Sequence, residues 1–335
     1  MDSGVFLDLT GMFDYLSIDK KEYNQAVLLS GSFREKLYVI PLCYTQSLIM
    51  TLDETLPKFG FTDQDMRSLE DMLVVFETIQ KSKTRLFAHD DYEQIFGYLT
   101  AVCFPGVFNY ESSELRVRNK LFERLIAVIH EEYILSDKRD TQYSIEGYKG
   151  EDLTKNIADG EAAFLLSYTL FSHYTRATAL SQYGQISVYP IPGYEGDVSA
   201  FAGFSVAVNA NMRFREEALR FIEIMLDDDS QSRIELDIVI PIRIESAESL
   251  SETWVDRAQE YIDRGFIEGI DNETKVPDSI PGLIERNTFS VTNAVLNNKD
   301  YFDLYEFFEP YIKGDKSYES CLAEAENYYK IYLSE

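Results

Sequence analysis

The sequence predicts an α/β layered fold with mostly parallel sheets. Three observations lead there: apolar residues recurring at helical spacing, short apolar runs between them that do not alternate, and proline-punctuated extended segments that divide the chain. The segment from Gln185 to Gln231 shows all three in quick succession.

Taken in order, Gly4 to Tyr15 is an apolar run broken by Gly11, and Leu37 to Ile40 is a short β-rich run stopped by Pro41. Ser68 to Ile79 reads as a helix. Ser68 with Asp71 makes a capping-box pattern, and Leu69, Met72, Leu73, Phe76 and Ile79 share a face. A second helix runs through Leu121, Leu125, Val128 and Ile129. Asp152 to Ala158 reads as a third, ended by Gly160, which takes a left-handed cap without a Cβ clash. Ala162 to Ser167 then reads as a buried strand.

Pro190 and Pro192 exclude helix before a strand in which Phe204, Val206 and Val208 alternate with smaller residues. Asn211 is the expected N-cap of the next helix, where Phe214, Ala218, Phe221, Ile222 and Met225 form one buried stripe. Ile238 to Ile242 is a second proline-containing extended stretch. The chain closes on a helix carrying Cys321, Ala325, Tyr328 and Tyr332 at i, i+4, i+7 and i+11.

At 335 residues with 45% hydrophobic content, the chain is long enough for two compact lobes with their own cores. Acidic residues outnumber basic ones 58 to 31, for a formal charge of −27. That charge opposes nucleic acid and anionic membrane surfaces, whose recognition needs cationic patches. A neutral ligand fits better. No run is long enough to span a bilayer, and MDSGVFLDLTGMFDY has no basic stretch followed by an apolar core. Cys43, Cys103 and Cys321 are odd in number and far apart, which points to small core residues rather than a disulfide framework or metal site.

Catalytic and cofactor motifs are missing. His130-Glu131 begins an HExxH pattern, but Ile134 stands where the second histidine would be. There is no nucleophile elbow, dinucleotide fingerprint or phosphate loop, so neither a cofactor nor a metal is expected. With 58 acids the sequence still leaves open a glycosidase, which needs only two well-spaced carboxylates.

Six local patterns, in order, resemble the extracellular solute-binding proteins of bacterial ABC importers, of the class that mostly carries sugars. They are GVFLDLTGMFDY, EKLYVIPLCY at a first crossover, IADGEAAFLLS, YPIPGYEG at a second crossover, VIPIRIESAE at a third, and the closing YIKGDKSYESCLAEAENYYKIYLSE. Arg34 and Glu35 replace the Gly-containing turn usual before Lys36. Members of that family also begin with a lipoprotein signal and an opening βαβα segment, and neither pattern is found here.

The resemblance therefore implies a two-lobed periplasmic-binding-protein-like fold of type II with an N-terminally incomplete first lobe. Lobe one would comprise 1–42 and 204–243, and lobe two 43–203 and 244–335. A small solute, in the first place a sugar or oligosaccharide, would be held between them and delivered to an ABC permease outside the membrane by a lipid-anchored, non-enzymatic protein. The 23 tyrosines and 22 phenylalanines make sugar stacking available.

Cleft positions carried over from the family pattern are Tyr44, Thr45 and Gln46, for which a buried strand is an equal reading, and Ser167, Tyr168 and Phe171, with Tyr168 the leading candidate. Tyr194 and Phe201 stand at the second crossover, where loop exposure or hinge packing competes with ligand contact. Trp254, the single tryptophan, fits helix packing better than ligand contact. A truncated remnant acting as an interaction protein is the alternative, and a glycan-acting enzyme a third.

Overall fold

The computed structural model describes residues 4–89, 91–136, 153–234, 239–267, 270–296 and 299–334. Asp152 and Ile238, at the ends of two expected elements, lie outside them.

Two four-stranded sheets organise the chain. The first has the order Ile240–Pro241, Val39–Gln46, Ser199–Ala207, Asn293–Val295; the second Arg85–Phe87, Ala162–Ser167, Leu48–Leu52, Ile186–Pro190. A single residue, Ser47, separates Val39–Gln46 in one sheet from Leu48–Leu52 in the other. The chain returns to the first sheet through 191–198, leaves it after Pro241, and re-enters it at Asn293. Cys43–Gln46 and Ser199–Gly203 accordingly belong to the first sheet, so the chain changes sheets later at the first crossing, and earlier at the second, than the sequence suggests.

The sheets are mixed rather than mostly parallel. Among the described residues, only the Ser199–Ala207/Asn293–Val295 and Arg85–Phe87/Ala162–Ser167 pairs are parallel, while Val39–Gln46 and Leu48–Leu52, the two consecutive strands on either side of Ser47, pair antiparallel with each neighbour they touch. A strand that continues from one sheet directly into the next has no crossover helix to turn it round. Pro41 sits inside its strand, opposite Ser205, instead of ending it. This is tolerated because Ile240–Pro241 pairs only with Cys43 and Tyr44, which leaves the other edge free at Pro41.

Both faces of the second sheet are covered. Ile49, Phe164 and Leu166 point into a core built with the helices Leu69–Lys81, Tyr92–Cys103, Lys120–Ser136 and Lys299–Ile312, while Leu48, Met50 and Leu165 point into a second core that continues under the first sheet. Ser68 caps its helix as expected, accepting from the Asp71 amide at 3.1 Å. The predicted face of that helix is buried, each Leu, Met or Phe contributing roughly 1.5–3 kcal/mol. Gly160 takes φ +74° two residues beyond Ala158, the last residue of its helix Leu153–Ala158.

Glu132 ties helix Lys120–Ser136 to the second sheet. Fully buried, its carboxylate accepts from the amides of Leu86 at 2.7 Å and Phe87 at 3.1 Å and lies 3.5 Å from Arg85 Nε. The three cysteines are buried and free.

One expected stripe is divided. Helix Arg215–Leu226 begins after Phe214, not at Asn211, and buries Ile222 and Leu226, whereas Phe214 and Phe221 are 63% and 56% exposed. The helix is apolar on two sides, and the first sheet covers only one.

Candidate functional site

A buried aromatic cluster packs beside the first sheet. Thr45 pairs with Phe201, which pairs in turn with Val295, so the three side chains share one face of the first sheet. Tyr98, from helix Tyr92–Cys103, meets Phe201 edge-on at 5.2 Å and stacks on Tyr168 at 3.9 Å. Phe302 closes the cluster edge-on to Tyr98. The Tyr168 hydroxyl lies 2.8 Å from His89 Nε2. Burial, reinforced by the Arg176 and Arg85 cations, pushes the His89 pKa down to about 3, so the imidazole is neutral.

The same helix continues to a cavity of about 740 Å³ whose walls come from both halves of the molecule. Phe104 and Tyr194 stack with centroids 5.9 Å apart, and Tyr194 is half exposed to the opening. Arg116, Asn119 and Asn293 add polar groups to the lining. Arg118 holds Glu326 through two bonds of 2.6 and 2.8 Å, which joins the wall to the C-terminal helix Tyr318–Tyr332.

The crossing loop is tied to itself. Asp197 Oδ2 accepts from Ser199 Oγ at 2.9 Å and Asn293 Nδ2 at 2.8 Å, and Tyr194 N donates to the Cys103 carbonyl at 2.7 Å. Gly193 packs closely on Asp197: a Cβ there would stand 2.0 Å from Asp197 Oδ1, so any larger residue requires that carboxylate to move. Such a cavity offers two ring faces, amides, carboxylates and guanidinium groups, the mixture that holds a polyhydroxylated ligand by stacking and hydrogen bonds.

The eight residues singled out in the sequence do not share one surface. Thr45, Tyr168 and Phe201 belong to the aromatic cluster, outside the cavity lining, and Tyr194 to the cavity wall. Tyr44, Gln46, Ser167 and Phe171 point to the opposite side. Tyr44 is buried in the second core, where burial pushes its hydroxyl pKa up. Phe171 packs edge-on against Tyr261 at 4.6 Å. Ser167 Oγ lies 2.7 Å from both Ser172 Oγ and His173 Nδ1. That Ser–His geometry resembles a nucleophile and base, yet both residues are fully enclosed, so no substrate reaches them.

His130 Nδ1 lies 3.0 Å from the Ile312 carbonyl and its ring stacks on Tyr311. Among the described residues, no group of three or more His, Cys, Asp or Glu side chains is placed to hold a metal ion. No helix among them is long and apolar enough to cross a membrane. Trp254 is buried in the second core.

Sequence reasoning missed Tyr98, Phe104, Asn119 and Asn293. Phe104 alone carried a local signal, as the last residue before the Pro105-Gly106 turn that must end its helix.

No family model matches the sequence, and no curated protein matches it. The fold, however, is shared with solved structures. The sugar-binding protein MalE from Xanthomonas citri aligns over 98% of this chain and 79% of its own, with a TM-score of 0.60 and 14% identity. The cyclic α-maltosyl-1,6-maltose binding protein from Arthrobacter globiformis aligns over 99% and 81%, with a TM-score of 0.56 and 14% identity. The GacH receptor of Streptomyces glaucescens, solved unliganded and with acarbose, aligns over 100% and 80%, with a TM-score of 0.54 and 14% identity. The chain thus has the two-lobed fold of the periplasmic binding proteins.

Proposed function

We propose that the protein is the substrate-binding component of an importer, taking a neutral oligosaccharide into the cavity between its two halves. The observation that carries this reading is the cavity itself: about 740 Å³, with stacked Phe104 and Tyr194 on one side and amide and guanidinium groups around them. The shared fold with sugar-binding proteins supports it. In this proposal Tyr194 and Phe104 stack on the sugar, and the two halves divide at Ser47 and within 191–198. Closing on ligand shifts the population toward a form that a permease reads, and the protein acts by binding alone.

The test is binding of a panel of neutral oligosaccharides by calorimetry and thermal shift. A true ligand at about 100 times Kd stabilises by about 2.7 kcal/mol. Tyr194→Ala should weaken it roughly tenfold, about 1.4 kcal/mol. If no glycan shifts Tm, or if Tyr194→Ala binds as the parent does, the assignment fails.

A second reading, an interaction protein, has one observation in its favour. Ser205–Ala207 pair on one side only, since Asn293–Val295 reach no further than Phe201, and Phe214, Phe221 and Ile224 are exposed nearby in sequence. Sedimentation velocity decides: a monomer across the accessible concentration range counts against it.

A further inference from the structure

The polar side chains around the cavity are not equally available to a ligand. Arg118 and Glu326 are bound to each other through two bonds, and Asp197 Oδ2 is occupied by Ser199 Oγ and Asn293 Nδ2. Asn293 is used at both ends, since its Oδ1 accepts from the Ala294 amide at 2.8 Å. Such pairs shape the wall, and a ligand could use them only by breaking them. Arg116 and Glu195 are exposed, so either gains little by exchanging water for a ligand oxygen.

Asn119 differs from all of these. It lines the cavity, half-buried, immediately before helix Lys120–Ser136, and its Oδ1 accepts from the Leu121 amide at 2.8 Å, as an N-cap side chain does. That bond fixes which side-chain atom is the oxygen, because the opposite choice would set an NH2 group against an N–H donor. Nδ2 is then the free end, a donor that bonds to no other described residue. Water reaches it in the open cavity, so leaving it unpaired by protein costs nothing. The main chain is held on both sides: Asn119 N donates to the Val117 carbonyl at 2.9 Å, and the Glu123 amide to the Asn119 carbonyl at 3.0 Å.

The same helix start supports the aromatic wall. Phe122, fully enclosed, meets Phe104 edge-on at 5.3 Å, and Phe104 in turn stacks with Tyr194. Donor and stacking ring are thus tied to one element, and neither has to be ordered when a ligand enters.

We propose that Asn119 is a specificity-determining residue of the cavity, whose Nδ2 donates to an oxygen of the bound sugar. The inference rests on the binding reading above and deepens it, from a neutral oligosaccharide in general to one recognised by a fixed, uncharged donor. A site of this kind discriminates strongly, because a ligand without the matching oxygen leaves the donor unpaired once water is displaced.

An N-cap residue also holds its helix, so two variants separate the roles. Asn119→Ser keeps a cap acceptor and removes the longer amide, whereas Asn119→Ala removes both. Each is measured for Tm and, by calorimetry, for affinity toward whichever of maltotriose, cellotriose and xylotriose raises the parent's Tm most. Asn119→Ser should keep the parent's Tm yet bind roughly tenfold more weakly, as weakly as Asn119→Ala, while only the alanine variant loses a few degrees.

Parent-like affinity in Asn119→Ser would make the residue a cap alone and overturn the proposal while the importer reading stands. Affinity that follows Tm through the series would overturn it too, since the residue would then act only through its helix. No rise in the parent's Tm with any of the three glycans removes the binding reading and this assignment with it, so the parent's own response tells the two failures apart.

Discussion

Tyr98 lies flat on Tyr168, with planes 12° from parallel, while the Tyr168 hydroxyl meets His89 on its other side. One side chain therefore joins the aromatic cluster to a buried imidazole. Tyr168→Phe keeps the stack and strips His89 Nε2 of its partner. It should lower the unfolding free energy by about 1–3 kcal/mol, read from urea denaturation. An unchanged midpoint would mean that the bond contributes nothing.

Glu132 should be far less replaceable than an exposed carboxylate. Glu132→Ala leaves Arg85 buried beside an empty position and frees two strand amides, at about 3–5 kcal/mol. Glu132→Gln retains one acceptor oxygen and should fall between the alanine variant and the parent. Chemical denaturation of the three proteins checks the order.

Acid should unfold the protein partly through its buried histidines. Burial pushes the pKa of both His89 and His173 down to about 3, against an ordinary value of 6.5. The unfolded chain thus takes up protons below 6.5 that the folded chain refuses. The stability this represents is complete above pH 6.5 and declines as pH falls toward 3, by about 1.4 kcal/mol per pH unit for each histidine. Glu132 works in the opposite direction, because burial raises its pKa. His173→Gln should therefore flatten the stability slope between pH 5.5 and 4 by about 1.4 kcal/mol per unit. An unaltered slope would show that His173 titrates normally.

The hairpin Ser32–Phe33/Lys36–Leu37 turns on Arg34 and Glu35 at φ +48° and +63°, a conformation that suits glycine. Glu35→Gly should stabilise by about 1 kcal/mol, visible as a Tm rise of a few degrees. A lower Tm would show that the turn does not carry the strain its dihedrals imply.

That turn also shows where sequence was legible and where it was not. The departure from a glycine-containing turn could be read at Arg34 and Glu35, as could the Ser68 cap, the Gly160 cap and the strand Ala162–Ser167, because each depends on neighbours a few residues away. Strand direction and Pro41 inside a strand were not legible, since both follow from a partner more than a hundred residues distant. Phe214 and Phe221 misled for a related reason: periodicity reports that a helix face is apolar, not which of two apolar faces is covered. Tyr44 and Thr45 were read together, yet strand alternation sends them to opposite sides. Tyr98 and Asn293 reach the site only through the way the two sheets meet.

The run Val39–Leu52 is shared between both sheets, and this sets an order of assembly during synthesis. Its second segment can pair once the ribosome has passed Pro190, with all its partners then made. Its first segment must wait for Ser199–Ala207 and Ile240–Pro241, and the sheet is finished only when Asn293–Val295 has emerged. The sheet whose first strand is made earliest is therefore the last to close, and Val39–Gln46 has no strand to pair with until Ser199–Ala207 has been made.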